Sequence, residues 1–301
     1  MKKMKIWLIV AAALCAVGLT VWTISLVGVG FDFEKMDTVK EIEGVHYPDE
    51  DFDTIVAMLD TADIKFLPSE DGSVKVICYE REDVRHSVSV HDGRLVIRAQ
   101  NKPWYKQLFG FYFGREVITV YLPEYMMYTL TAESDTGDVT LGKSLSFASA
   151  KIETDTGDVT ILSEVKGVLS LETDTGEVTL KNNSFNVIDM ETDTGDVSLS
   201  SVNISGSIGI LTDTGDVELD NTLVTGDINI ETDTGDVSFE RCDAANIYIV
   251  TDTGDVEGTL LSEKIFDVRS ETGDERVPTG MVGGLCKVTT DTGDIEIRIV
   301  K

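Results

Sequence analysis

The chain has 301 residues, 42% of them apolar, with 54 Asp plus Glu against 25 Lys plus Arg, a formal net charge of −29. The apolar share fits a folded chain rather than a disordered one. The negative charge as a whole repels nucleic acid and anionic lipid and attracts cations and basic partners, which argues against a nucleic-acid partner. Cys15, Cys78, Cys242 and Cys286 form no CxxC pair and His46, His86 and His91 no cluster, so three cysteines read as buried small residues, the histidines as solvent-exposed, and no transition-metal site is expected.

Residues 1–5 carry Lys2, Lys3 and Lys5, and residues 6–31 carry no charge. As a helix, 26 residues would extend about 39 Å, enough to span a bilayer with some tilt. Lysines before this run and Asp32 and Glu34 after it place a cytoplasmic tail at 1–5, a transmembrane signal anchor at 6–31 and everything beyond outside the cell membrane. A cleaved signal peptide is the rival reading. Its apolar core is usually shorter, and no small-x-small cleavage site precedes the acidic stretch. A lipoprotein signal would need a small residue before Cys15, where Leu14 stands.

Residues 32–50 read as an acidic linker. Over 51–130, alternating apolar residues predict strands near 54–59, 74–79, 87–90, 94–99 and 116–122, separated by turns such as Glu70-Asp-Gly72 and His91-Asp-Gly93. Their irregular spacing suggests early coils or a cap over an open sheet edge. Between them, Trp104, Tyr105, Phe109, Phe111, Tyr112 and Phe113 crowd into 103–113. That segment fits either a capping hairpin or a patch for the membrane surface or a partner.

Residues 131–301 are dominated by one repeat. The pattern [Asp/Glu]-Thr-Gly-[Asp/Glu] recurs nine times, with glycines 137, 157, 176, 195, 215, 235, 254, 273 and 293 spaced by 19 or 20 residues. Around each, apolar residues alternate, as in Ala150, Ile152, Thr154 and then Val159, Ile161. Such a unit predicts two half-buried strands joined by a corner, where Gly is expected to supply a positive φ and Asp to accept a backbone N–H. One unit cannot bury its apolar row alone. Stacking at about 4.8 Å per coil gives an all-β parallel β-solenoid (β-helix), nine coils rising about 38 Å. Thr154, Thr173, Thr192, Thr212, Thr232 and Thr251 form an inward hydroxyl column expected to bond the turn. Repeat eight, with Glu271, Glu275 and Pro278, is degenerate and predicts a bulge or loop.

Stacking aligns two acidic columns. The first holds Asp135, Asp155, Asp174, Asp193, Asp213, Asp233, Asp252, Glu271 and Asp291; the second Asp138, Asp158, Glu177, Asp196, Asp216, Asp236, Asp255, Asp274 and Asp294. Neighbouring charges about 4.8 Å apart in water repel by about 0.9 kcal/mol, so the columns together oppose folding by about 14 kcal/mol before screening. That equals a whole domain's stability and must be offset. Two readings stand: the columns bind Ca²⁺, a hard cation taking oxygen ligands, or Asp-Thr-Gly-Asp is a good exposed turn copied by duplication. An aspartic-protease site is excluded by geometry, since stacked copies cannot make two Asp share one proton. The Asp between the threonines likewise spoils a flat ice-binding face.

Val117-Ile-Thr-Val-Tyr-Leu-Pro123, leading through an alternating strand into Thr-Gly-Asp-Val coils, resembles a bacterial putative-adhesin β-solenoid family of unknown function. The resemblance covers about 51–301. It implies the solenoid fold, an N-terminal membrane helix and a cell-envelope setting, and it brings no catalytic site. The expectation is a non-enzymatic extracellular module for adhesion or envelope scaffolding, whose partner is an envelope protein or glycan. A sensory or regulatory partner in an envelope-stress system, or a Ca-stabilised binding solenoid, is the alternative. The middle of each coil (Glu164-Val-Lys, Asn182-Asn-Ser, Glu240-Arg-Cys) varies too much to show a site.

Overall fold

A computed structural model describes residues 15, 17–20, 22–23, 41–81, 85–100, 116–280 and 282–300. Among these no helix is long and apolar enough to cross a membrane. The expected anchor at 6–31 lies largely outside the described residues, and the aromatic segment 103–113 lies entirely outside them.

The chain folds as an all-β parallel solenoid. A middle coil starts with a long strand such as Ser146–Thr156, turns at Gly157-Asp158, and continues in a short strand, Val159–Ile161. Among the described residues the long strands, with two two-residue strands beside them, build a 14-stranded sheet and the shorter ones a 13-stranded sheet. Period-two alternation sends one row of each inward, and the register turns each row into a column. Ile152, Leu171, Met190, Ile210, Ile230, Ile249 and Val288 stack in one, and Ile161, Leu180, Leu199, Leu219 and Phe239 in the other. All are buried, and this burial is the main favourable term of the fold. One column adjusts its volume by pairing large with none: a Cβ on Gly258 would collide with the Phe239 ring one coil below.

Chain order is not stack order. The ninth repeat, Gly284–Thr292 with Ile295–Ile299, lies between the seventh, Asn246–Thr253 with Val256–Leu260, and the eighth, Lys264–Thr272 with Glu275–Arg276. The reason is in the side chains. Repeat nine offers Val288, Ile295 and Ile297 to be covered on both sides, and all three are buried. Repeat eight has exposed Glu275 where the other repeats place buried Val or Ile, so it suits only the outer position. It forms paired strand rather than a bulge, and a loop follows from Val277.

The other end repeats this arrangement. Thr54–Leu59 inserts between Met127–Thr136 and Arg94–Gln100, while Asp63–Pro68 inserts between Val139–Leu141 and Val117–Leu122. Between these two inserted strands, Asp60-Thr-Ala-Asp63 is a tenth corner, unrecognised in the sequence because Ala62 replaces Gly. Antiparallel strands then close the stack: Glu41–His46 on Lys75–Arg81 on Val117–Leu122, and Arg85–His91 on Arg94–Gln100. Reversed strands interrupt the parallel edge that another chain could extend. The segment expected as a linker over 32–50 therefore contains a strand, Glu41–His46, paired into the cap.

His86 departs from the solvent-exposed expectation. It is buried, with Nδ1 3.0 Å from Glu80 Oε2, which also accepts the His86 backbone N–H at 2.7 Å. Phe52, Tyr128, Phe147 and Phe66 fill the core beneath the cap, with successive ring centroids 5.9, 6.5 and 6.4 Å apart.

Candidate functional site

The repeated corner is the first candidate. Its glycines are required by close approach, not by φ: of the nine, only Gly293, at 152°, has a positive φ short of the extended region. A Cβ on Gly215 would overlap the Gly195 carbonyl oxygen and lie 2.7 Å from its carbon, and the same holds from Gly157 through Gly254. Glycine thus stacks backbone on backbone. Ala62 is tolerated because it ends the column, where Asp63 N–H meets the Glu116 carbonyl of a strand without a corner.

The second acidic column is a hydrogen-bond ladder. Asp158 N–H donates to Asp138 Oδ1 at 3.1 Å, Glu177 N–H to Asp158 at 2.9 Å, and Asp216 N–H to Asp196 at 2.9 Å. Asp236 and Asp255 continue it at 2.8 Å each, Asp294 at 2.7 Å, and Asp274 at 2.8 Å follows the inverted coil order. Asp63 begins it by accepting Asp138 N–H at 3.0 Å. Apart from Glu177 and the outermost Asp274, each carboxylate therefore satisfies a backbone donor that the corner would otherwise leave unpaired, a charge-assisted bond that offsets the repulsion along the column. Glu177 is the odd member; its longer side chain turns instead to the Thr179 hydroxyl at 2.9 Å.

Asp135, Asp155, Asp174, Asp193, Asp213, Asp233, Asp252 and Asp291 of the first column all face solvent. Among the described residues no group of three or more His, Cys, Asp or Glu is arranged to hold a metal ion. The threonine column is inward as expected, but only part of it bonds the turn. Thr251 reaches the Gly235 carbonyl at 3.5 Å and Thr290 that of Gly254 at 3.2 Å, whereas the hydroxyls of Thr154, Thr173, Thr192, Thr212 and Thr232 have no partner.

Cys78, Cys242 and Cys286 are free and buried, and burial pushes each thiol up to about 12. They are inert core residues rather than nucleophiles.

A second candidate lies where the sequence looked too variable. The start of each long strand, or a separate two-residue strand, forms a third side: Ser184, Asn203, Leu223 and Asp243 stack in one outward column. Glu164 and Ser262 extend its line, while Lys166, Asn186, Ser205 and Thr225 form the facing wall of a groove of about 740 Å³. Val165, Phe185, Ile204, Val224 and Ala244 make a buried floor. Six coils at about 4.8 Å give it a length of about 24 Å. Its charged lining is Glu164, Lys166 and Asp243. Asp243 is neutralised by buried Lys264, whose Nζ lies 2.6 Å from Asp243 Oδ1 and 2.7 Å from Ser262 Oγ. With Lys264 counted, two cations meet two anions: the groove is neutral on a strongly acidic protein. Its signal in the sequence was faint, because two-residue strands show no periodicity and these side chains share no motif.

A comparison with curated proteins finds no match. Three solved structures share the fold at low identity. A putative adhesin from Bacteroides fragilis matches at 14% identity and a TM-score of 0.50, over 86% of this chain and 97% of that one. A putative adhesin from Parabacteroides distasonis matches at 12% and 0.51, over 87% and 98%. A putative lipid binding protein from Parabacteroides distasonis matches at 14% and 0.50, over 88% and 98%. The Toastrack DUF4097 family matches over residues 52–249 and 207–301, nearly the whole solenoid with its cap, and the chain belongs to that family.

Proposed function

We propose that the chain is a non-enzymatic surface module for adhesion or envelope scaffolding, anchored by 6–31 with its solenoid outside the membrane. Its third-side groove is the binding surface. The observation that carries this reading is the groove itself: a neutral trough of amides and hydroxyls, about 24 Å long, on a polyanion. An anionic ligand is repelled by the body, and a cationic one is drawn to the acidic columns instead. An uncharged, polyhydroxylated chain suits the trough best, and a sugar in an extended glycan advances by about one coil. Two of the structural neighbours being described as adhesins agrees with a surface role.

The test is glycan-array retention of the purified chain beside a variant with Asn203→Trp and Thr225→Trp, which fill the trough from its outer side. Retention of the parent on neutral glycans, reduced at least tenfold in the variant, is expected. Equal retention of both would remove the groove as the binding surface.

A further inference from the structure

The outward face of the short-strand sheet changes character at the cap. Along the solenoid its outward column reads Thr160, Thr179, Ser198, Glu218, Ser238 and Glu257, hydroxyls and acids suited to water. In the cap the register sets Val45 beside Ile77, Tyr79 beside Val117, and Lys75 beside Tyr121. Alternation places Tyr47 on this face with Val45, and Lys65 pairs Thr119 on it. Val45, Tyr47 and Tyr79 are 42%, 64% and 38% exposed. The Lys75 ammonium lies 4.5 Å from the centre of the Tyr121 ring. Among the side chains described on this face, Lys65 and Lys75 balance Glu43 and Asp63. Asp63, beside Val117, is buried with the Asp138 N–H on its carboxylate, so the exposed charge here is not acidic although the chain carries −29.

We infer that this cap face lies on the headgroup layer of a lipid bilayer containing anionic lipid. Tyrosine suits that layer because its ring is apolar and its hydroxyl wet, and aliphatic residues enter the acyl boundary. Lysines on the same face attract anionic headgroups near such a surface. Position points to the same occupant. The outermost strand of this face begins at Glu41, ten residues after the uncharged run ends at Phe31, and ten residues reach at most about 36 Å. Docked in this way, the cap holds the solenoid in a fixed attitude to the membrane while the acidic coils stay in water.

The inference rests on the proposed anchoring by 6–31, so its test reads both. The full chain, with Cys15→Ser, carries one new cysteine, either Glu43→Cys on the cap face or Ser238→Cys on the same sheet's body. Each is labelled with an environment-sensitive fluorophore and reconstituted into phosphatidylcholine vesicles, with or without phosphatidylserine, that contain lipid quenchers at headgroup depth. Flotation with the vesicles reports anchoring. Quenching of the label at 43, severalfold above that at 238 and increased by phosphatidylserine, is expected. Tyr47→Ser with Tyr79→Ser, or Lys65→Glu with Lys75→Glu, should abolish the difference while flotation persists. A floating chain whose label at 43 stays unquenched overturns the cap docking alone. A chain that fails to float overturns the anchoring and the docking with it. Quenching indifferent to phosphatidylserine and to the lysine changes overturns the anionic preference.

Discussion

Substituting Gly215 by Ala tests the stacking argument directly. The new Cβ would sit 2.7 Å from the Gly195 carbonyl carbon, where carbon atoms prefer about 3.5–4.0 Å. The coils must separate locally by about 1 Å, and both contacting groups are backbone, so no side chain can swing aside. Three corner bonds stretch together: Gly195 N–H to Thr214 O at 3.1 Å, Val197 N–H to Asp216 O at 2.9 Å, and Asp216 N–H to Asp196 Oδ1 at 2.9 Å. At about 1 kcal/mol net each, the loss is about 3 kcal/mol. Ala also restricts the unfolded chain, returning about 0.4–1 kcal/mol, so a net cost of about 2–2.5 kcal/mol remains. The assay is urea unfolding of Gly215→Ala beside Ala62→Gly, where the column ends and the change should stay below about 1 kcal/mol. An alanine variant at 215 as stable as the parent would refute close approach as the reason for glycine.

The two acidic columns should respond oppositely to truncation. Asp216→Ala removes the acceptor of Asp236 N–H, 2.8 Å away, and should cost about 1 kcal/mol in thermal unfolding; Asp213→Ala only relieves repulsion and should be neutral or slightly stabilising. Because the ladder already occupies the second column, millimolar Ca²⁺ and Mg²⁺ should raise the melting temperature equally; a rise of many degrees with Ca²⁺ alone would assign the solvent-facing first column as its site. Native Cys78, Cys242 and Cys286 should resist a thiol reagent until the chain is unfolded. Their raised thiols also make the fold alkali-sensitive. Stability from each is fully present below its unfolded value near 9 and lost as pH rises toward 12, at about 1.4 kcal/mol per pH unit per thiol, visible as a falling melting temperature in that window. Lys264→Ala should cost about 2–3 kcal/mol, less than for a fully buried pair because Asp243 keeps 29% of its side chain exposed, and urea unfolding measures it.

The sequence by itself determined the coil. A period of 19 or 20 residues, two alternating runs and a Gly-Asp corner are local signals, and a column repeats whatever one coil contains. The acidic and threonine columns were legible for that reason. What the corner residues do to one another was not, because contact between coils is absent from any single unit. Glycine proved to be a matter of close approach, and Asp a partner of the next coil's amide. Stack order was also decided only in three dimensions. Each end inserts a coil out of turn, since the core rewards burial on two sides and assigns the polar repeat, with Glu275, to the outside. The groove and the cap face depended on the same step. Their residues come from strands well separated in sequence, share no motif, and meet only because strand pairing, parallel in the groove and mostly antiparallel in the cap, brings them to within about 4.8 Å.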